Sequence, residues 1–287
     1  MLEGIIVKGI GGTYEVETEQ GRLKCTLRGK LRLSVERVLI GDRVEISLDE
    51  GGSGGVVERI LPRRNELIRP AIANIDQVLV VFAVQQPAPN LALLDRILVQ
   101  AELMGLANVV VFNKADLDLG RAEELRAIYA SIPYPTILTS TVTSQGMEEL
   151  RRVVQGKISV LAGPSGAGKS SLLNALNPDL DLETGQVSAK IQRGRHTTRR
   201  VELLAFDQGY VADTPGFSQL YLEPGQEDRL QFAFPEFDRY RDACRFRGCL
   251  HRREPGCAVL EALERGEVAA SRHQHYLLFL EEVTPRY

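Results

Sequence analysis

The sequence predicts an α/β protein built on a parallel sheet, preceded by a small all-β barrel and followed by a short helical segment. Three observations carry that expectation. Residues 1–61 read as short strands between glycine turns, and residues 71–220 alternate apolar strands with amphipathic helices. Residues 221–287 hold three of the four cysteines together with a histidine in a close array.

In the first segment the strands are Gly4 to Val7, Thr13 to Glu17, Arg22 to Leu27, Arg43 to Ser47 and Val56 to Ile60. Gly11-Gly12, Gly21, Gly41-Asp42 and the glycines from Gly51 to Gly55 separate them, and no helical periodicity competes. Five strands in so short a segment suit an OB-fold, a common platform for single-stranded nucleic acid. Pro62-Arg63-Arg64-Asn65 opens a linker assigned to residues 62–70.

Past the linker, Val78 to Val84 is a buried strand, and Asn90 caps a helix that carries Leu91, Leu94, Ile97, Leu98 and Ala101 on one face. Gly105 ends that helix, and Val109 to Phe112 is the next strand. The unit repeats with helices near Arg121 to Ala130 and Met147 to Val154 and strands Thr136 to Leu138 and Ile158 to Leu161. Such alternation predicts a doubly wound sheet, whose ligands bind at the C-terminal strand ends.

Composition sets the outer limits. With 287 residues, 44% apolar residues and 25% charged residues, the chain can fill the cores of about two domains. No apolar run approaches the roughly 18 to 20 residues that cross a bilayer, so no membrane role is expected. The N-terminus lacks an export signal, so a cytoplasmic location is expected, where cysteines serve as metal ligands or buried hydrophobes more often than as disulfides. Cys25 is read as a buried strand residue.

A net charge of −3 hides three basic clusters. Arg22, Lys24, Arg28, Lys30, Arg32, Arg37 and Arg43 face only Glu36 and Asp42 in their window. Lys190, Arg193, Arg195, Arg199 and Arg200 have no acid among them, and Arg239, Arg241, Arg245, Arg247, Arg252 and Arg253 have only Asp242. Local patches of this kind attract phosphate backbones.

Gly163, Pro164, Ser165, Gly166, Ala167, Gly168, Lys169 and Ser170 fit the P-loop pattern, between an apolar strand and the helical segment from Ser171 to Leu176. Backbone N–H groups there cradle phosphate oxygens, Lys169 reaches the β and γ phosphates, and the Ser170 hydroxyl ligates Mg²⁺. Asn113, Lys114, Ala115 and Asp116 follow a strand and resemble the guanine-specificity motif of GTPases, whose Asp accepts two hydrogen bonds that adenine cannot donate. Ser140-Thr141 matches the loosest GTPase motif, a backbone contact to the guanine O6. Asp213-Thr214-Pro215-Gly216 resembles the DxxG motif, in which Asp holds Mg²⁺ through water and the Gly216 amide senses the γ phosphate. Between the two phosphate motifs, His196-Thr197-Thr198-Arg199 looks like switch I, with Thr198 favoured over Thr197 as the Mg²⁺ ligand.

The order of these motifs is informative. Ordinary GTPases begin with the P-loop and end with the base motif, whereas here Asp116 precedes Gly163. The same sheet forms when old termini that lay close together are joined, so the order describes a circularly permuted GTPase. A nucleotide kinase or transport ATPase would not explain Asn113 to Asp116, and no LSGGQ-like signature is present.

After the DxxG motif come Cys244, Cys249, His251 and Cys257, a C-x4-C-x-H-x5-C array. Three thiolates and one imidazole complete a tetrahedral zinc shell with no open position, which implies a structural site. His273 and His275 are read as surface or packing groups.

Permuted order, an N-terminal barrel and this array together resemble the ribosome small-subunit-dependent GTPases of bacteria. The resemblance spans nearly the whole chain. It implies an RNA-binding OB-fold (1–61), a permuted GTPase domain (71–220) and a zinc domain (221–287). It also implies a role in late maturation of the 30S subunit, with GTP hydrolysis to GDP stimulated by that subunit and 16S rRNA as partner. Nothing in the sequence points beyond a monomer.

Ordinary GTPases place a Gln after DxxG to orient the attacking water, and this chain has Phe217. Slow intrinsic turnover follows, on the order of 10⁻⁴ to 10⁻³ s⁻¹. The resemblance implies a switch I histidine in that role, and His196 is the matching residue. Its two readings, catalytic group and rRNA phosphate contact, both stand. Potassium assistance is disfavoured because Gly166 occupies the position of the Asn found in potassium-using GTPases.

Overall fold

The glycine-punctuated N-terminal segment forms five strands: β1 (Leu2–Ile10), β2 (Thr13–Thr18), β3 (Gly21–Leu27), β4 (Arg43–Leu48) and β5 (Gly54–Ile60). The structure is a computed structural model. It describes all residues except 35–36, 53, 68–70, 181–201, 207–208, 214–221, 223 and 286–287, together with the side chains at 32–34, 179 and 213. Contacts group the described chain into two units. Met1–Gln77, Val153–Leu161 and Gln186–Gly216 form one, and Val78–Arg152, Ala162–Gly185 and Phe217–Tyr287 form the other.

In the first unit the strands close into a barrel in the order β1-β2-β3-β5-β4, with β3 and β5 parallel and β1 antiparallel to β4. This is the OB-type barrel expected from the sequence. Its core is Ile6, Val16, Leu23, Cys25, Val44, Ile46 and Val57, drawn from the inward set of alternating positions. Cys25 lies there as a buried strand residue. Two glycines are required by close approach: a Cβ on Gly4 would stand 2.5 Å from Val16 Cγ1, and one on Gly55 would stand 2.5 Å from the Ser47 carbonyl oxygen. A short helix, α1 (Gly29–Ser34), was not anticipated.

The segment assigned as a linker is tied to its own unit. Two short strands, β6 (Glu66–Leu67) and β7 (Ile72–Ala73), pair antiparallel. Arg63 donates to both oxygens of the buried Asp42, at 2.7 and 3.0 Å, and the Leu39 N–H donates to the same carboxylate at 2.8 Å. A buried carboxylate needs such a set of donors. Asn74, at φ 59°, accepts from the Arg64 N–H and donates to the Gly41 carbonyl.

The remaining strands of this unit are β11 (Ile158–Ala162), β12 (Leu203–Phe206) and β13 (Gly209–Asp213). β13 runs parallel to β11, whereas β12 is antiparallel to β13. An all-parallel arrangement was expected. The two-residue connection at positions 207–208 is too short for a crossover, so the pair forms as a hairpin.

In the second unit β8 (Gln77–Ala83), β9 (Ala107–Asn113) and β10 (Thr136–Leu138) are neighbours in the order β10-β9-β8, and β10 is parallel to β9. Every residue of β8 is buried, which accounts for its unbroken apolar run. Between them lie α2 (Leu91–Leu103), capped by the Asn90 side chain, and α3 (Leu119–Tyr129), capped by Asp118. Helices α4 (Met147–Val154) and α5 (Lys169–Leu176) complete the α/β part.

The C-terminal segment adds α6 (Glu227–Leu230), three short 3-10 turns, α7 (Ala258–Glu264) and α8 (Ala270–Val283). Its core joins Phe234, Phe237, Tyr276 and Phe279 to Val99 of α2. Phe234 and Phe237 stack at 5.4 Å, and Tyr276 meets both edge-on. Arg272 of α8 is fully buried beside α2. It grips Glu236 with two hydrogen bonds at 2.7 and 3.1 Å, while its Nη1 stands 2.8 Å from Asp95 Oδ1 without hydrogen-bond alignment. The Tyr129 hydroxyl and His275 Nδ1 complete the shell around Asp95.

Candidate nucleotide and metal sites

The P-loop leaves β11 and enters α5, as its spacing requires. Gly163 has φ 139°, and a Cβ there would stand 2.0 Å from the Val81 carbonyl oxygen, so only glycine lets the loop cross the end of β8. Gly168, at φ 89°, leads into α5, and its absent Cβ makes room for the Asn113 amide at 2.3 Å. Pro164 accepts a hydrogen bond from the Ala167 N–H, while Ser165 and Gly166 stand exposed at the loop tip. Lys169 Nζ donates to the carbonyls of Gly163 and Pro164 at 2.9 and 2.8 Å. Ser170 and Ser171 occupy the first turn of α5, where backbone N–H groups have no partner within the helix.

Asn113 performs a task that its motif alone does not reveal. Its amide nitrogen donates to the Ala167 carbonyl at 2.9 Å, and its oxygen accepts from the Thr139 hydroxyl at 3.1 Å. One side chain thereby ties the end of β9 to the P-loop and to the end of β10. Lys114 adopts a left-handed φ of 60° and donates to the Gln86 carbonyl, and the Ala115 N–H donates to the Thr139 carbonyl at 3.0 Å. Asp116 follows, half-buried. The buried Ser140 hydroxyl accepts from the N–H groups of Val142 and Thr143, so it shapes the loop that presents Thr141.

Asp213 ends β13, and its side chain lies outside the described residues. The same holds for His196, Thr197, Thr198, Gly216 and Phe217, and for the basic stretch from Lys190 to Arg200.

Cys244, Cys249, His251 and Cys257 come together in the C-terminal segment, with their ligand atoms within 4.8 Å of one another. His251 Nδ1 faces Cys257 Sγ at 3.3 Å and Cys244 Sγ at 3.7 Å. Three soft sulfur donors and an imidazole nitrogen converging on one point fit zinc, and the burial of three of the four fits a closed structural site. Burial pushes the Cys249 thiol up to about 12 and the His251 imidazole below its ordinary value. Glu254 shapes the intervening loop by accepting from the N–H groups of Leu250, Arg252 and Arg253. Burial alone would raise its carboxyl, but these backbone bonds outweigh it and hold it below the usual value.

His251 has φ 53°, in the left-handed region, and its loop is held from behind. His273 Nε2 lies 2.9 Å from the His251 carbonyl oxygen, and the Tyr276 hydroxyl donates to the Leu250 carbonyl at 2.8 Å. His273 is thus a buried bonding group, and His275 belongs to the Asp95 shell. Gln231 and Thr139 also shape these sites, and no sequence pattern marked them.

The chain matches the family model described as RsgA GTPase over residues 60–223 and the RsgA N-terminal domain over residues 3–56. It is 48% identical to the small ribosomal subunit biogenesis GTPase RsgA of Moorella thermoacetica, covering 99% of this chain and 98% of that one. It is 47% identical to the protein of the same name from Geobacillus thermodenitrificans, covering 100% and 99%. Among solved structures, YjeQ from Thermotoga maritima superposes with a TM-score of 0.84 at 42% identity, covering 98% of both chains. YloQ, described as a circularly permuted GTPase, superposes with a TM-score of 0.82 at 36% identity, covering 100% of this chain and 98% of that one. Motif order, barrel, P-loop geometry and full-length likeness agree, and the chain belongs to the RsgA GTPase family.

Proposed function

We propose that this GTPase is a late-stage maturation factor of the 30S ribosomal subunit, with hydrolysis stimulated by that subunit and coupled to release from it. The carrying observation is the Asn113 amide, bonded to the P-loop at Ala167 and to Thr139, which makes base motif and phosphate loop one assembly. The full-length relatives supply the partner, since they are named for biogenesis of the small ribosomal subunit. In this reading residues 1–61 bind 16S rRNA, residues 71–220 bind and hydrolyse GTP, and residues 221–287 carry the zinc site. The protein works as a cytoplasmic monomer.

The residues divide the work. Asp116 selects guanine through its carboxylate, with Ser140 and Thr141 at the O6 side, and the N–H groups of Gly163 to Ser171 hold the phosphates. Lys169 moves from its two carbonyl partners to the β and γ oxygens, where it offsets charge in the transition state. Ser170, Thr198 and Asp213 supply hard oxygen donors suited to Mg²⁺, which neutralises phosphate charge when bound. His196 orients the attacking water in place of the missing Gln, and Gly216 senses the γ phosphate.

The decisive measurement is GTP turnover by the purified protein alone, with 30S subunits and with 50S subunits, using ATP as a control. Stimulation by 30S only supports the proposal. Turnover left unchanged by 30S overturns the partner, and equal turnover of ATP overturns the guanine assignment.

A further inference from the structure

We infer that Gln231 is a positioning residue for the metal, fixing His251 in the tautomer that presents Nδ1 as the ligand. The inference rests on the zinc reading of the four-residue cluster. Gln231 Oε1 lies 3.1 Å from His251 Nε2, and both side chains are buried. The orientation of the amide is set independently, because Gln231 Nε2 donates to the Asp228 carbonyl at 3.4 Å and leaves the oxygen turned toward the imidazole. An amide oxygen only accepts, so His251 Nε2 carries the hydrogen. A neutral imidazole protonated at Nε2 has its lone pair at Nδ1, and Nδ1 is the nitrogen that faces Cys244 and Cys257.

The arrangement also constrains the ring. Its second nitrogen is pinned by Gln231 while His273 holds the backbone carbonyl of the same residue, so the imidazole plane and its loop are gripped from two elements. Outer partners of this type orient metal-bound histidines, and their loss lowers metal affinity by about 10- to 100-fold. Gln231 opens the 3-10 turn Gln231–Ala233, downstream of the DxxG motif in the chain. The histidine ligand is thereby oriented by the stretch of chain that leaves the switch, rather than by the cysteine loop itself.

The test uses the full chain purified with zinc. Long-range proton–nitrogen NMR of ¹⁵N-histidine-labelled protein reads the tautomer directly, and competition with a chromogenic chelator reads zinc affinity for wild type, Gln231→Leu and Gln231→Glu. The expected result is Nε2–H in wild-type holoprotein, a loss of zinc affinity of about 10- to 100-fold in Gln231→Leu, and near-wild-type affinity in Gln231→Glu, which keeps an acceptor. Zinc on Nε2, or undiminished affinity in a folded Gln231→Leu, overturns the inference and leaves the zinc site intact. Wild-type protein that binds no zinc overturns both the site and the inference. The wild-type tautomer stays decisive even if Gln231→Leu fails to fold.

Discussion

The N-terminal barrel and the cysteine-histidine segment both carry clustered arginines but expose their charge in opposite ways. On the barrel, Arg22 meets Glu15 and Glu17, Arg28 meets Glu58, Arg43 meets Glu3, and Arg59 meets Glu45. In the metal segment Arg239, Arg247 and Arg253 are exposed with no carboxylate in reach among the described residues. Arg241 pairs with Asp238 at 2.6 Å, and Arg241 and Arg245 lie over the exposed rings of Phe232 and Phe246, at 4.3 and 5.4 Å. A charge cluster counted along a chain is therefore not a field. Carboxylates on neighbouring strands pair with Arg22, Arg28 and Arg43 of the first cluster, while the loop that carries Cys244 to Cys257 lies among short turns and helices.

The regions also differ in what holds them together, and the largest expected effect breaks the comparison there. The barrel closes on seven buried side chains of its own strands, whereas the loop from Cys244 to Cys257, beside the larger core of its segment, buries only Cys249, His251 and Cys257. Under the zinc reading, chelation is expected to remove binding energy on the order of 10 kcal/mol, and Cys249→Ala a part of it. Limited proteolysis is expected to cut within residues 221–287 and to spare residues 1–61; equal sensitivity of both would end the contrast.

Next in size is Arg272→Met, which leaves Asp95 and Glu236 buried without their cation. Urea denaturation is expected to show a loss of about 3 to 5 kcal/mol. A smaller effect belongs to Glu254, whose carboxyl is held below its ordinary value. A depressed acid contributes stability above its unfolded pKa of about 4.3 and loses it as pH falls through the folded value. The amide introduced by Glu254→Gln cannot titrate, so the variant should start less stable at neutral pH and lose less as pH falls from about 5 to about 3 in thermal melts.

The smallest effects sharpen the charge contrast directly. Under the proposed function, Arg247→Ala and Arg253→Ala should each lower the salt slope of rRNA binding by about one. Arg22→Ala should leave that slope nearly unchanged and alter stability by less than about 0.5 kcal/mol, as for other exposed pairs. A slope change of about one for Arg22→Ala would show that Arg22 contacts phosphate despite its ion pairs.

The α/β alternation, the P-loop and the metal array were legible because each is written in local spacing. Asn90 and Gly105 mark helix ends through backbone groups a few residues away, and Cys244 to Cys257 meet within one loop. The hairpin of β12 and β13 escaped notice because a four-residue strand of mixed burial has little periodicity to read. The tie between Asn113 and Ala167 escaped because the motif marks the residue without its partner.

By itself, the sequence determined the permuted order of the motifs, the barrel, the glycines that let the P-loop turn, and the donor set of the metal site. These depend on residue type and short-range geometry. Only the tertiary structure decided which arginines remain uncompensated, that Arg63 is tied to the buried Asp42, and that Arg272 lies between Asp95 and Glu236. It also decided which nitrogen of His251 faces the thiols. Each of these depends on register and packing between residues brought together by the fold, which no local pattern records.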